Sequence, residues 1–140
     1  MDRQVIEQKL ESLRRCLMRV QQKTPATFAE LEHDPDAQDV LTLNLTRAVQ
    51  ISVDIGTHLI ANSDQPAPDT MGQTFDVLAN MGLISPDLAL RMKKAVGFRN
   101  IAIHNYETID WQITFHIATR HIVDFSAFAA AIINHMEKHA

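Results

Sequence analysis

All five prolines of this 140-residue chain fall in gaps between stretches that repeat apolar side chains every three or four positions. Proline lacks a backbone donor and clashes with the preceding turn, so each one marks a helix boundary rather than a helix interior. Thr24-Pro25 ends a first helix over residues 3 to 22, striped by Val5, Ile6, Leu10, Leu13, Leu17 and Val20. Residues 26 to 33 form a short turn or helix. Asp34-Pro35 then supplies a cap and a first-turn proline for a helix to about Ala61, with Leu41, Leu45, Ala48, Ser52, Ile55 and Leu59 on one stripe. Gly56 marks a close helix crossing within it. The loop 62 to 69 carries two prolines, residues 70 to 81 read as a short helix ended by Gly82, and Ser85-Pro86-Asp87 caps the next helix, which runs to about Ile103. Asp110 caps a last long helix to about Lys138, striped by Ile113, Ile117, Phe125, Phe128, Ile132 and Met136.

The predicted fold class is therefore all-α: an antiparallel bundle of four long helices and one short helix, in a single domain spanning residues 1–140. A hydrophobic content of 46% is enough for one core, and four glycines with one tryptophan and one tyrosine argue against a sheet. The chain opens directly into an amphipathic pattern, with no signal core and no run long enough for a bilayer, which reads as a cytoplasmic protein without a membrane partner. Cys16, the sole cysteine, excludes an internal disulfide and reads as a small buried hydrophobe.

Chemistry concentrates in Gly97 to Tyr106, which reads R-N-x-x-x-H-x-Y at Arg99, Asn100, His104 and Tyr106. A guanidinium fork suits a phosphate, and an imidazole gives or takes a proton near neutral pH; together they suit phosphodiester chemistry. Between Asp87 and Glu107 no carboxylate or cysteine is available to share a cation with His104, so neither a metal site nor a cofactor is expected. Five residues of helix set Arg99 and His104 about 140° and roughly 7.5 Å apart, so the two do not share a face. Asn100 and His104, at i and i+4, do, and the amide is placed to orient the imidazole. Arg99 reaches the same spot only if the helix ends nearby or a second copy supplies it, which points to a site shared across a two-fold axis.

Net charge is −4, which excludes a general nucleic-acid coat. Yet from Leu88 to Tyr106 there is no acid, while Arg91, Lys93, Lys94 and Arg99 are basic, so Arg91, Lys93 and Lys94 are candidate RNA contacts beside the motif. The plainer alternative is an ordinary solvated helix face. Among the remaining histidines, Asp54 is placed to pair with His58 and Asp124 to accept a hydrogen bond from His121; His135 and His139 have metal-ligand spacing but no third ligand.

The four motif residues resemble the R-x4-H-x-Y signature of the HepT toxins, a branch of the all-helical HEPN superfamily, and the similarity extends to length, helix order and the motif's place on the penultimate long helix. The resemblance implies a metal-independent endoribonuclease toxin with Arg99 and His104 as catalytic pair, Asn100 as the supporting polar residue, and RNA as substrate. It implies a nucleotidyltransferase antitoxin that silences the toxin by transferring AMP to Tyr106; the two-fold reading of the motif adds the expectation of a homodimer. A reading from the binding class stands beside it: a non-catalytic helical partner of a nucleotidyltransferase that holds a nucleotide or substrate in the same basic cleft.

Overall fold

The computed structural model describes residues 2–139, in which helices α1 (Arg3–Lys23), α2 (Phe28–Glu32), α3 (Pro35–Ala61), α4 (Met71–Asn80), α5 (Pro86–His104), α6 (Trp111–His116) and α7 (Ile122–Lys138) follow one another. A 3₁₀ turn, Tyr106–Thr108, joins α5 to α6, and a π-helical turn, Ile117–His121, joins α6 to α7 into one continuous rod. No strand occurs among the described residues. The caps read from sequence are the caps used. Asp34 accepts from the Ala37 amide at 3.1 Å with Pro35 in the first turn, Ser85 from the Leu88 amide at 3.1 Å and Asp110 from the Gln112 amide at 2.9 Å, whereas Thr70, read as a helical residue, is itself the cap of α4. Each satisfies an amide that the first helical turn leaves without a partner. Gly82, at φ +79°, lets the Leu83 amide turn back to the Leu78 carbonyl at 3.0 Å and ends α4.

Helix α3 is the spine, packed against α1, α4 and α5. The buried core runs from Leu13 and Val20 on α1 through Leu41, Leu45 and Ile55 on α3 to Phe75 on α4 and Phe125 and Phe128 on α7. Phe75 and Phe128 meet edge to face with centroids 5.7 Å apart. Cys16 is buried in this core, where burial pushes its thiol pKa up, as fits a packing role. None of the helices is long and apolar enough to cross a membrane.

Two local expectations fail for identifiable reasons. The π turn adds one residue to the last helix and so rotates what precedes it by about 100°. The buried positions of that stretch are therefore Thr114 and Ala118, one step on from the expected Ile113 and Ile117, and Ile113 is 52% exposed. Asp54 does not pair with His58, because Gln50 and Lys9 take its carboxylate; His58 Nε2 instead accepts from the Asp2 amide.

At Gly56 the backbones of α3 and α4 approach so closely that an added Cβ would lie 2.5 Å from Thr74 Cγ2 and 3.0 Å from Leu78 Cδ1. Thr74 and Leu78 are fully buried and have little room to move. Gly56→Ala is therefore expected to destabilise the fold by about 1–3 kcal/mol despite alanine's better helix propensity. The midpoint of denaturant unfolding measures this, and an unchanged or raised midpoint contradicts the crossing.

Candidate functional site

Helix α5 carries the motif to its last residue. The Asn105 amide closes the helix on the Ile101 carbonyl at 2.9 Å, and Asn105, at φ −153° and ψ 59°, leaves helical conformation. His104 is thus the exposed last residue of α5, and Tyr106 opens the 3₁₀ turn that follows. Buried Ile109 anchors the far side of that turn.

Arg99 lies half-buried against the spine helix. Its Nη2 donates to Gln50 Oε1 and its Nη1 to Asn100 Oδ1, both at 3.1 Å, while its buried Nε finds no acceptor among the described residues. The Gln50 amide is fixed from its other end, where Nε2 donates to Asp54 Oδ1 at 2.9 Å. Lys9 Nζ stands 3.7 Å from the second oxygen of Asp54. A chain of contacts therefore runs from α1 through α3 to the guanidinium and meets Arg99 with amide oxygens only. No carboxylate pairs with Arg99 among the described residues.

The other cations of α5 are treated differently. Arg91 is held by Asp87 and by buried Asp124, whose Oδ1 lies 2.9 Å from Nε, and Lys93 pairs with Asp76 at 3.0 Å. Asp76 and Asp124 come from α4 and α7, so the acid-free run along the sequence is not an acid-free surface. Of the candidate RNA contacts, Lys94 is exposed without an ion pair among the described residues, whereas Arg91 and Lys93 are largely neutralised. The expected Asn100–His104 contact is also not made. The Asn100 carbonyl serves Arg99, its immediate neighbour, and so supports the guanidinium rather than the imidazole.

Tyr106 donates its hydroxyl to Asp39 Oδ1 of α3 at 2.6 Å and packs edge-on to Trp111, with centroids 6.1 Å apart. Desolvation first, then the hydrogen bond and charge of Asp39, pushes the phenol up to about 12. The residue remains 42% exposed, accessible to another protein. Gln50 and Asp39 were not singled out by sequence; both are ordinary polar residues of α3, and only their contacts 49 and 67 positions away mark them.

A cavity of about 720 Å³ lies on the other side of α5, between it and the α6–α7 rod. Leu90, Phe98, Ile101 and Ile117 line it, with a polar edge in which His121 joins Asp124 at 3.0 Å, as read from the sequence, and His116 at 3.1 Å. Arg99, His104 and Tyr106 are not among its walls. Among the described residues no three histidine, cysteine, aspartate or glutamate side chains converge to hold a metal ion.

This arrangement has close counterparts. The family model described as Ribonuclease HepT-like matches residues 6–132. The mRNA nuclease HepT of Shewanella oneidensis is 32% identical over 128 residues, 91% of this chain and 96% of that protein. A structure of the tri-AMPylated Shewanella oneidensis HEPN toxin in complex with MNT antitoxin contains a chain matching at TM-score 0.88 and 31% identity, over 96% of this chain and 99% of that one. A toxin–antitoxin crystal structure with AMP-PNP contains another, also at TM-score 0.88, with 30% identity over 94% and 98% of the two chains. With Arg99, Asn100, His104 and Tyr106 in place on the same fold, the chain belongs to the HepT-like ribonucleases of the HEPN superfamily.

Proposed function

We propose that this chain is the toxin of a toxin–antitoxin pair, a metal-independent endoribonuclease that cuts RNA with Arg99 and His104 and is silenced by AMP placed on Tyr106. The observation that carries the site is the state of Arg99: a half-buried guanidinium, held by two neutral amide oxygens, with one buried N–H unmatched among the described residues. A carboxylate partner would cancel the charge; amide oxygens orient the fork and leave its charge for an anion. His104 stands one turn further on at the open helix end.

In the proposed reaction His104 removes the 2′-hydroxyl proton, the 2′-oxygen attacks the adjacent phosphorus, and Arg99 stabilises the charge that develops on the phosphoryl oxygens. The bond to the 5′-oxygen breaks, and a second imidazole protonates that oxygen. One chain offers only one such histidine in this motif, so the second comes from a homodimer. Leu90, Ile101 and Ile113, all about half exposed, form an apolar rim around the cavity and supply a surface for a second copy. Leu90 and Ile101 share one face of α5, and His104 lies about 60° from Ile101 around the helix, so a two-fold contact there brings two His104 side chains together.

The Shewanella toxin is described as tri-AMPylated in complex with its MNT antitoxin, and AMP transfer to Tyr106 by such a nucleotidyltransferase is proposed here by that likeness. Tyr106 lies two residues beyond His104, so a nucleotide on it obstructs the imidazole directly. Arg99 is further off: Asp39 and Gln50, which hold the two groups, are eleven positions apart on α3, roughly 16 Å along its axis. A single phosphate held at Asp39 does not reach the guanidinium; the nucleotide must swing off α3 or be extended. Either way an anion then competes with the RNA phosphate.

Incubated on total RNA with excess chelator, the unmodified protein should release fragments with 2′,3′-cyclic phosphate and 5′-hydroxyl ends. Alanine at Arg99 or His104 should lower cleavage at least a hundredfold with the helical content unchanged. Full activity in either variant removes that residue from the site. Gln50→Ala should cost about 1.5–3 kcal/mol of transition-state stabilisation, a ten- to hundredfold fall in cleavage rate, by freeing the guanidinium from its orienting oxygen; wild-type rates would leave Gln50 a bystander. Tyr106→Phe should cleave RNA and stay toxic when the antitoxin is co-expressed, whereas its efficient silencing counts against modification at Tyr106.

A further inference from the structure

Three aspartates open α3, and among the described residues only one of them hydrogen-bonds another element through its side chain. Asp34 caps the helix on the Ala37 amide, and Asp36 sits in the first turn, where the helix dipole favours an acid. Asp39 lies beyond that first turn, serves no cap, and spends Oδ1 on the Tyr106 hydroxyl at 2.6 Å. The contact spans 67 positions, and both partners are exposed, so it contributes little to stability. His104, Glu107 and Asp110 flank the same turn and Asp36 lies nearby on α3, but Asp39 alone of these charged or titratable groups hydrogen-bonds the phenol.

A neutral phenol is a poor nucleophile toward phosphorus and needs a base within hydrogen-bond reach. Asp39 holds that position, in the way a kinase aspartate accepts the proton of its substrate hydroxyl. We infer that Asp39 is the general base for the chain's own modification, taking the Tyr106 proton as the phenol oxygen attacks the α-phosphorus of ATP on the nucleotidyltransferase. The new bond joins Tyr106 Oη to the α-phosphorus, the bridging bond to the β-phosphate breaks, pyrophosphate leaves, and the proton passes to Asp39 Oδ1 and on to water. Because the phenol is held up to about 12, only about one molecule in 10⁵ carries a phenolate unaided at pH 7. This assignment rests on the proposed AMP transfer to Tyr106 and adds a residue to it: the toxin brings its own base.

After transfer the same aspartate faces a phosphodiester anion. The hydrogen bond is gone, and like charges now repel. Asp39 thereby repels the nucleotide from its own place on α3.

The test measures AMP incorporation by purified nucleotidyltransferase with ATP and Mg²⁺, using full-length chain and peptide mass to place the adduct, from pH 6 to 9. Wild type should be modified on Tyr106 at a rate that changes little across this pH range. Asp39→Asn, isosteric and exposed, should lower kcat about a hundredfold with KM for the toxin little changed. Its rate should rise about tenfold per pH unit as the phenolate fraction grows. Asp39→Glu should recover most of the rate and the flat profile. Equal rates for wild type and Asp39→Asn, or a slow Asp39→Asn that does not respond to pH, overturn the assignment. Wild type that takes AMP elsewhere, or takes none, overturns the modification reading itself and this inference with it.

Discussion

The contact between Gln50 of α3 and Arg99 of α5 sets what this fold can do with its one unneutralised arginine on α5. Half-burying a guanidinium forfeits part of its hydration, and a fold usually repays that with a carboxylate, as it does at Arg91. At Arg99 it uses two amide dipoles instead, each of which satisfies a donor without removing the charge. The remaining electrostatic deficit is what a phosphate can fill. The Gln50 amide cannot turn away easily, because its nitrogen is committed to Asp54 and Asp54 in turn faces Lys9. The orientation of Arg99 is thus inherited from the packing of α1 on α3, far from any substrate.

That dependence explains which parts of the molecule were legible in the sequence. Helix boundaries were readable because caps act locally: Asp34 and Ser85 each bond an amide three residues on, and proline and Gly82 act through their own backbone angles. Gly56 was readable because only a close crossing justifies a glycine within so regular a stripe. The π turn was not, since nothing in Ile117–His121 forbids an ordinary α turn, and the extra residue is imposed by packing. The basic patch failed for a related reason: charge along a sequence says nothing of Asp76 and Asp124 arriving from other helices. Asn100 had two neighbours in reach, and helical geometry alone does not choose between a ring one turn away and a guanidinium beside it. Residue type and spacing brought Arg99, His104 and Tyr106 into view and family resemblance gave them roles; neither said anything of Gln50 or Asp39, which only the spine helix brings to them.

Helix α5 separates two environments by its own rotation. Toward α3 it presents Arg99 to polar side chains; toward α6 and α7 it presents Leu90 and Ile101 to an apolar cavity edged by the Arg91–Asp124–His121 network. In that network Asp124 accepts from both Arg91 and His121, so neither is available to a phosphate without leaving a buried carboxylate uncompensated. The cavity face thus suits an apolar partner surface better than a polyanion, and the proposed RNA site is left to the helix end where His104 and Tyr106 emerge.

The confinement bears on affinity as well as on chemistry. A chain of net charge −4 gains little from long-range attraction to a polyanion, and with Arg91 and Lys93 already paired the phosphate contacts available near His104 are few. On the proposed reading, binding of RNA rests on a small number of close contacts and has a shallow salt dependence. On the same reading, that sparseness would make one adduct effective as a control: where few groups beyond His104, Arg99 and Lys94 attract the substrate phosphate, a nucleotide tethered beside His104 competes with RNA at high effective concentration. A broad basic surface would offer RNA other footholds, and modification of one tyrosine would leave most of them open. On the proposed reading, control through Tyr106 and a negatively charged chain thus go together, because attraction for the substrate is confined to a few groups along the last turns of one helix.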